Sequence, residues 1–257
     1  MPGLDLWNAT DFASLPGPVL VFVLAGLVKG VIGLGLPTIS MALLALFMPP
    51  AEAAALLILP SLLTNILQIG PWAGLRARLG RLGGMQLGIA LGTLAGAWAL
   101  GAPAGAWASL ALGSTLIGYA AWSLLGRPLT IPTQTEKWLG PAVGATTGLI
   151  SSATGVFVVP AVPYLQGLGL QRDALIQAMG LSFTVSTLAL AGGLYLNDSY
   201  SASALGHSAV MLLPALLGMH VGSQLRQRLS PLLFRRCLMG GLILLGLHMI
   251  VHAAKRM

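Results

Sequence analysis

Lys29 stands about fourteen residues into an apolar tract that runs from about Leu15 to Met48. It opens the stretch Lys29-Gly30-Val31-Ile32-Gly33-Leu34-Gly35-Leu36-Pro37, which sets one cation beside three glycines and a proline. A cation at that depth is expensive and usually faces a cavity or a partner. Beside a glycine-rich break it could join backbone N–H groups at the start of a half-helix, a combination suited to an anion. A lysine reaching the membrane interface, or one paired with a carboxylate, is the structural alternative.

A weaker copy follows in the second half at Ser151-Ser152-Ala153-Thr154-Gly155-Val156-Phe157-Val158-Val159-Pro160. It offers hydroxyl and backbone donors but no charge. Ser151, Ser152 and Thr154 could equally bond to carbonyls of their own helix. Two polar stripes accompany the breaks. Ser61, Asn65 and Gln68 share one helical face at spacings of four and three. Ser182 and Ser186 share another, and Gln177, Thr184 and Thr187 a third. They could line a path or tie helices together.

The remaining polar residues read as structural. Glu52 and Asp173 open their segments, where acids favour the helix dipole. His248 and His252 lie four apart with no nearby acid or cysteine, so no metal site is expected. No cofactor is called for. The single Cys237 excludes a disulfide within the chain.

These residues need elements to hold them, and composition says which kind. Of 257 residues, 56% are hydrophobic and only 7% charged. Soluble domains carry about a quarter charged residues, so this chain cannot cover a water-facing surface and must lie in a lipid bilayer. The net charge of +7 does not point to nucleic acid. The cations cluster at the ends of apolar segments and form no basic stripe interleaved with aromatics. The stretch from Met1 to Pro18 has no basic residue and reads as an interfacial lead-in containing Asp5, Trp7 and Asp11.

Apolar segments run roughly over 15–48, 51–70, 82–102, 104–126, 141–169, 174–196, 204–225 and 237–253. Six fit one crossing each, because about 20 residues span a bilayer. The first and fifth are too long for one crossing, too short for two, and carry the two breaks. Irregular backbone is tolerated in a membrane only where protein or a watery cavity covers it.

Charge decides how they run. If all eight segments cross, Arg76, Arg78, Arg81, Arg127, Lys137, Lys255 and Arg256 share one side, and Arg172, Arg226, Arg228, Arg235 and Arg236 the other: seven against five. If the first and fifth return to their own side, only Lys255 and Arg256 stay outside and ten cations face the cytoplasm. The second arrangement satisfies the positive-inside rule. Each half then holds one broken segment and an odd number of crossings.

A weak internal repeat agrees: Gly26-Leu27 echoes Gly148-Leu149, Gly33 echoes Gly155, and Glu52-Ala53 echoes Asp173-Ala174. Ser61 and Asn65 align with Ser182 and Ser186. The expected fold is an all-α polytopic membrane protein of two inverted repeats, each with one broken or re-entrant segment plus three transmembrane helices. Residues 1–126 form the first repeat, 127–140 a cytoplasmic linker and 141–257 the second repeat. Gly84, Gly88, Gly92 and Gly96, four apart, and Gly218 with Gly222, mark faces for close helix contact.

Gly-Val-Ile-Gly-Leu-Gly from Gly30 to Gly35, followed by Ala-Glu-Ala-Ala-Ala at a helix start, resembles the first repeat of the TauE/SafE sulfite-exporter family, also called the toluene-sulfonate-uptake type. Thr154 to Pro160, then Gly169 to Asp173, resembles its second repeat. The chain departs from the family pattern where Leu36-Pro37 replaces part of a glycine run and where Gly155 stands alone. The resemblance implies secondary transport of sulfite or an organosulfonate across a bacterial inner membrane, with a small anion and the bilayer as partners. The expected binding residues are Lys29, Gly30, Gly33, Gly35, Ser61, Asn65, Ser151, Ser152, Thr154, Gly155, Gln177 and Thr184. A membrane scaffold or an intramembrane enzyme is the alternative. For the enzyme the chain lacks a Gly-x-Ser-x-Gly elbow and a His-Glu-x-x-His helix.

Overall fold

The computed structural model describes residues 16–70, 74–126 and 129–255. Residues 1–15 of the N-terminal lead-in, Arg127 and Arg256 fall outside them. Ten helices and no strand occur among the described residues. They are α1 Pro16–Ile32, α2 Leu36–Leu44, α3 Pro50–Ile69, α4 Leu75–Leu100, α5 Gly105–Leu125, α6 Glu136–Thr154, α7 Ala161–Gly167, α8 Arg172–Leu196, α9 Ala202–Leu225 and α10 Pro231–Ala254. Six of them, α3, α4, α5, α8, α9 and α10, are long and apolar enough to cross a membrane. The protein is a multi-pass membrane protein.

Three helices begin earlier than hydropathy indicates. α4 takes in Arg76 and Arg78, α10 takes in Arg235 and Arg236, and α6 starts at Glu136 inside the expected linker. Arginine, lysine and glutamate are good helix formers, so a charged end stays helical as it leaves the apolar layer.

Each broken tract folds back on itself. At the first, a Cβ on Gly17 would sit 3.9 Å from the Phe47 ring, so the tract's entry and exit are adjacent. At the second, Arg81 grips Glu136 at the tract's start through two short hydrogen bonds, 2.6 and 2.7 Å. The same guanidinium donates to the Leu168 carbonyl at the tract's end, 3.3 Å away. That hydrogen bonding holds the Glu136 carboxyl below the usual carboxylate range. A segment whose two ends touch has not crossed a layer about 30 Å thick.

The two tracts open at opposite ends of the bundle. Residues 45–50 share a cleft with Gly105 at the start of α5 and His252 near the end of α10. The second tract's ends meet the start of α4 instead. Arg235, near the start of α10, donates to the Ser123 hydroxyl (2.9 Å) and carbonyl (2.7 Å) near the end of α5. Asn197, capping α8, donates to Ala97 near the end of α4. Together these contacts place the starts of α4, α8 and α10 and the end of α9 at one end of the bundle. That end carries Arg76, Arg78, Arg81, Lys137, Arg172, Arg226, Arg228, Arg235 and Arg236, while Lys255 lies at the other.

Glycine sets the closest contacts. α1 lies along α9, and α4 along α6. A Cβ on Gly26 would strike the Ala215 carbonyl, and one on Gly218 the Val23 carbonyl. On the other pair, Gly84, Gly88, Gly92 and Gly96 all face α6, meeting Pro141, Ala145 and Ser152. Backbones approach this closely only where no side chain intervenes. The pairings also recur at a fixed offset. Gly148 meets the backbone of Thr93, each 122 residues from its counterpart in the Gly26–Ala215 contact. Gln86 on α4 donates to Ser182 on α8, and Ser208 on α9, 122 residues after Gln86, bonds to Leu56 and Leu59 on α3.

Candidate functional site

α1 ends because Gly33 takes a left-handed conformation (φ 81°), with its N–H closing on the Lys29 carbonyl at 2.7 Å. Gly35, at φ 108°, then caps the start of α2. Lys29 therefore lies in the last turn of α1, where a cation suits the carbonyl end of the helix dipole. The half-helix start that the sequence sets beside this lysine is that of α2, after Gly35.

The Lys29 side chain is only 4% exposed. Its ammonium donates to the Asn65 carboxamide oxygen on α3. Asn65 in turn donates to Thr187 on α8, 3.3 Å away. No carboxylate pairs with Lys29 among the described residues. A buried charge is thus held by a neutral amide, with two further ammonium hydrogens to place. Ser61, one turn before Asn65 on the same face, is fully buried and its hydroxyl has no protein partner. The Ser186 hydroxyl beside Thr187 is in the same condition. Buried polar atoms rarely go unpaired, so two at one crossing call for a role.

Gln68 fastens this crossing to the break. Its amide donates to the Gly33 carbonyl (2.9 Å) and the Ile176 carbonyl (3.3 Å). From the opposite helix, Gln177 returns the contact to Ile69 at 2.8 Å. Gln177 is therefore a tie between α3 and α8. Thr184 is occupied with the Gly180 carbonyl of its own helix. Gly30 is a packing residue: a Cβ there would collide with Met219 and Ser223 on α9. Around Gly33, by contrast, nothing lies within 4 Å of an added Cβ.

The second break is closed. Ser151 donates to Thr147 and approaches the Val156 carbonyl across the break at 3.1 Å. Ser152 donates to Leu149 and packs against Gly96 of α4. Thr154 donates to Ile150 and accepts from the Val156 N–H. All three hydroxyl protons of this break are spent on backbone. Gly155 caps α6 at φ 67°, with Met41 of α2 filling the space where a Cβ would go. Val156, Phe157 and Val158 are buried.

Sequence reasoning missed a further group. A cavity of about 200 Å³ opens at the arginine-rich end, lined among others by Gly35, Thr38, Trp122, Arg172, Arg226 and Arg235. Among the described residues, no Asp or Glu lines it. Thr38, following Pro37 in an otherwise apolar run, was the signal available.

Searches of curated proteins and of solved structures return no match. A family model, sulfite exporter TauE/SafE, matches residues 19–249, which include both breaks, five of the six long apolar helices and most of the sixth. The chain belongs to the TauE/SafE sulfite exporter family of membrane transporters.

Proposed function

We propose that this transporter exports sulfite or a related organosulfonate across the bacterial inner membrane by alternating access, binding the anion beside Lys29. One observation carries the reading: a lysine buried in the bundle, with Asn65 its one hydrogen-bond partner and no acid paired to it among the described residues. Burying an unpaired charge is costly, and a bound anion supplies the missing partner. Asn65, the Ser61 hydroxyl and the open space beside Gly33 complete the site. Gly30 secures the helix that carries Lys29. On this reading Ser151, Ser152, Thr154 and Gly155 build a wall against α2, while Gln177 and Thr184 hold α8 in place.

The offset pairings of α1–α9 with α4–α6 support two inverted repeats, residues 1–126 and 141–257, joined by the linker at 127–140. Such repeats can rock about a site at their interface. The positive-inside rule puts the arginine-rich end in the cytoplasm. An inside-negative potential then favours anion efflux.

The test is counterflow in proteoliposomes with sulfite, sulfate, thiosulfate and organosulfonates as competing solutes. Exchange of sulfite or an organosulfonate is the expected result. A protein that exchanges none of the four contradicts the proposal.

A further inference from the structure

We infer that the arginine-lined cavity is a separate capture site, where the oxyanion binds at the cytoplasmic end before it reaches Lys29. This rests on the transport reading above. Arg172, Arg226 and Arg235 come from α8, the C-cap of α9 and α10, and reach one cavity with Trp122 and the start of α2. Arginine stays protonated, and its planar fork matches the oxygens of a sulfite or sulfonate.

Arg172 gains nothing from its own helix: it is the first residue of α8, where a cation opposes the helix dipole. Among the described residues, no acid in the cavity wall neutralises the three arginines. Asp173 neighbours Arg172 in sequence but is not part of the lining.

The floor of the cavity is built for an acceptor. α2 begins there, with its first helical bond running from Ile39 to Gly35, so the amides of Leu36 and Thr38 precede the hydrogen-bonded turn. Amides at a helix start attract anions. Thr38 is an independent indication. It is 1% exposed, lines the cavity, and its hydroxyl has no partner in the protein. A helix start, an unpaired buried hydroxyl and arginines from three helices line one space.

The cavity and the Lys29 crossing are different places joined by the first break. Gly35 lines the cavity, while Gly33 is tied by Gln68 to the α3–α8 crossing that holds Lys29. Capture and transport should therefore separate under mutation. Arg235 is unsuitable for the test, because its hydrogen bonds to Ser123 hold α5 against α10. Arg172→Gln, Arg226→Gln and Thr38→Val are the variants of choice.

Two readouts are needed. The first is sulfite counterflow with the arginine-rich end facing the varied concentration. Each arginine variant should raise KM by ~10-fold or more, the loss of one charge-assisted hydrogen bond, with the maximal rate nearly unchanged. Lys29→Ala should instead lower the maximal rate. The second is quenching of Trp122 fluorescence by sulfite in lipid-free detergent, with Trp122→Phe as reference. Quenching should persist in Lys29→Ala and vanish in the Arg172→Gln, Arg226→Gln double variant. The same titration with phosphatidylglycerol micelles separates a free oxyanion from a lipid phosphate. Quenching by the lipid but not by sulfite overturns the capture site, as does an unchanged KM and unchanged quenching in the double variant. Sulfite quenching that depends on the arginines, without sulfite counterflow in the wild type, supports the site while refuting sulfite transport.

Discussion

The two breaks occupy equivalent places and behave in opposite ways. Gly33 and Gly155 both end a helix in the left-handed conformation, and each N–H closes on the residue four before it, Lys29 or Ser151. Beyond that the likeness stops. Lys29 reaches out to another helix, whereas Ser151 turns back onto its own break. Space around Gly33 is open, while Met41 closes the space around Gly155. The two breaks thus share a backbone geometry and divide the chemistry. The first break presents charge and room, and the second supplies a packed wall.

The comparison can be strained first where the halves agree. Gly26 and Gly148 hold corresponding contacts, with α9 and α4 respectively. Leucine at either position must push two helix backbones apart. Overpacking costs typically 1–3 kcal/mol, and a clash with backbone lies at or above ~3 kcal/mol. Thermal denaturation in detergent should show both variants strongly destabilised, to similar extents. A large loss for only one would break the equivalence of the halves.

A smaller effect should separate the breaks themselves. Alanine at Gly33 or Gly155 carries the left-handed penalty of about 1–2 kcal/mol. At Gly155 the new Cβ would also lie 2.9 Å from the Met41 sulfur, whereas at Gly33 it meets nothing. Gly155→Ala should therefore unfold at a lower temperature than Gly33→Ala. Restoring it with Met41→Ala in the same chain would sharpen the contrast, and equal midpoints for the two single variants would remove it.

Much of this architecture can be read from composition and charge. The scarcity of charge requires a bilayer, and the positions of twelve cations, Lys29 apart, favour two tracts that do not cross. The contacts of Phe47 with Gly17, and of Arg81 with both ends of the second tract, show the same. Glycines four apart along α4 also declare a packing face. Gly30 shows where such reading stops. A glycine serves equally for an exposed amide or for close backbone approach, and only the presence of α9 distinguishes them.

Ser151, Ser152 and Thr154 are similarly ambiguous, because one rotation about χ1 turns a hydroxyl from a ligand to its own helix. The arginine cavity was illegible for a different reason. Charge patterning says which side of the membrane Arg172, Arg226 and Arg235 occupy, but not how the three helices turn them around the bundle axis.

The central claim, that the first break binds the anion and the second supports it, meets its most direct test in sulfite counterflow by Lys29→Ala and Ser151→Ala at matched protein content. Lys29→Ala should lose transport by ~10-fold or more, as expected for removal of a charged hydrogen-bond donor. Ser151→Ala should stay within about twofold of the wild type, since it gives up only contacts to neighbouring backbone. Equal losses, or a folded Lys29→Ala protein that transports normally, would contradict the account.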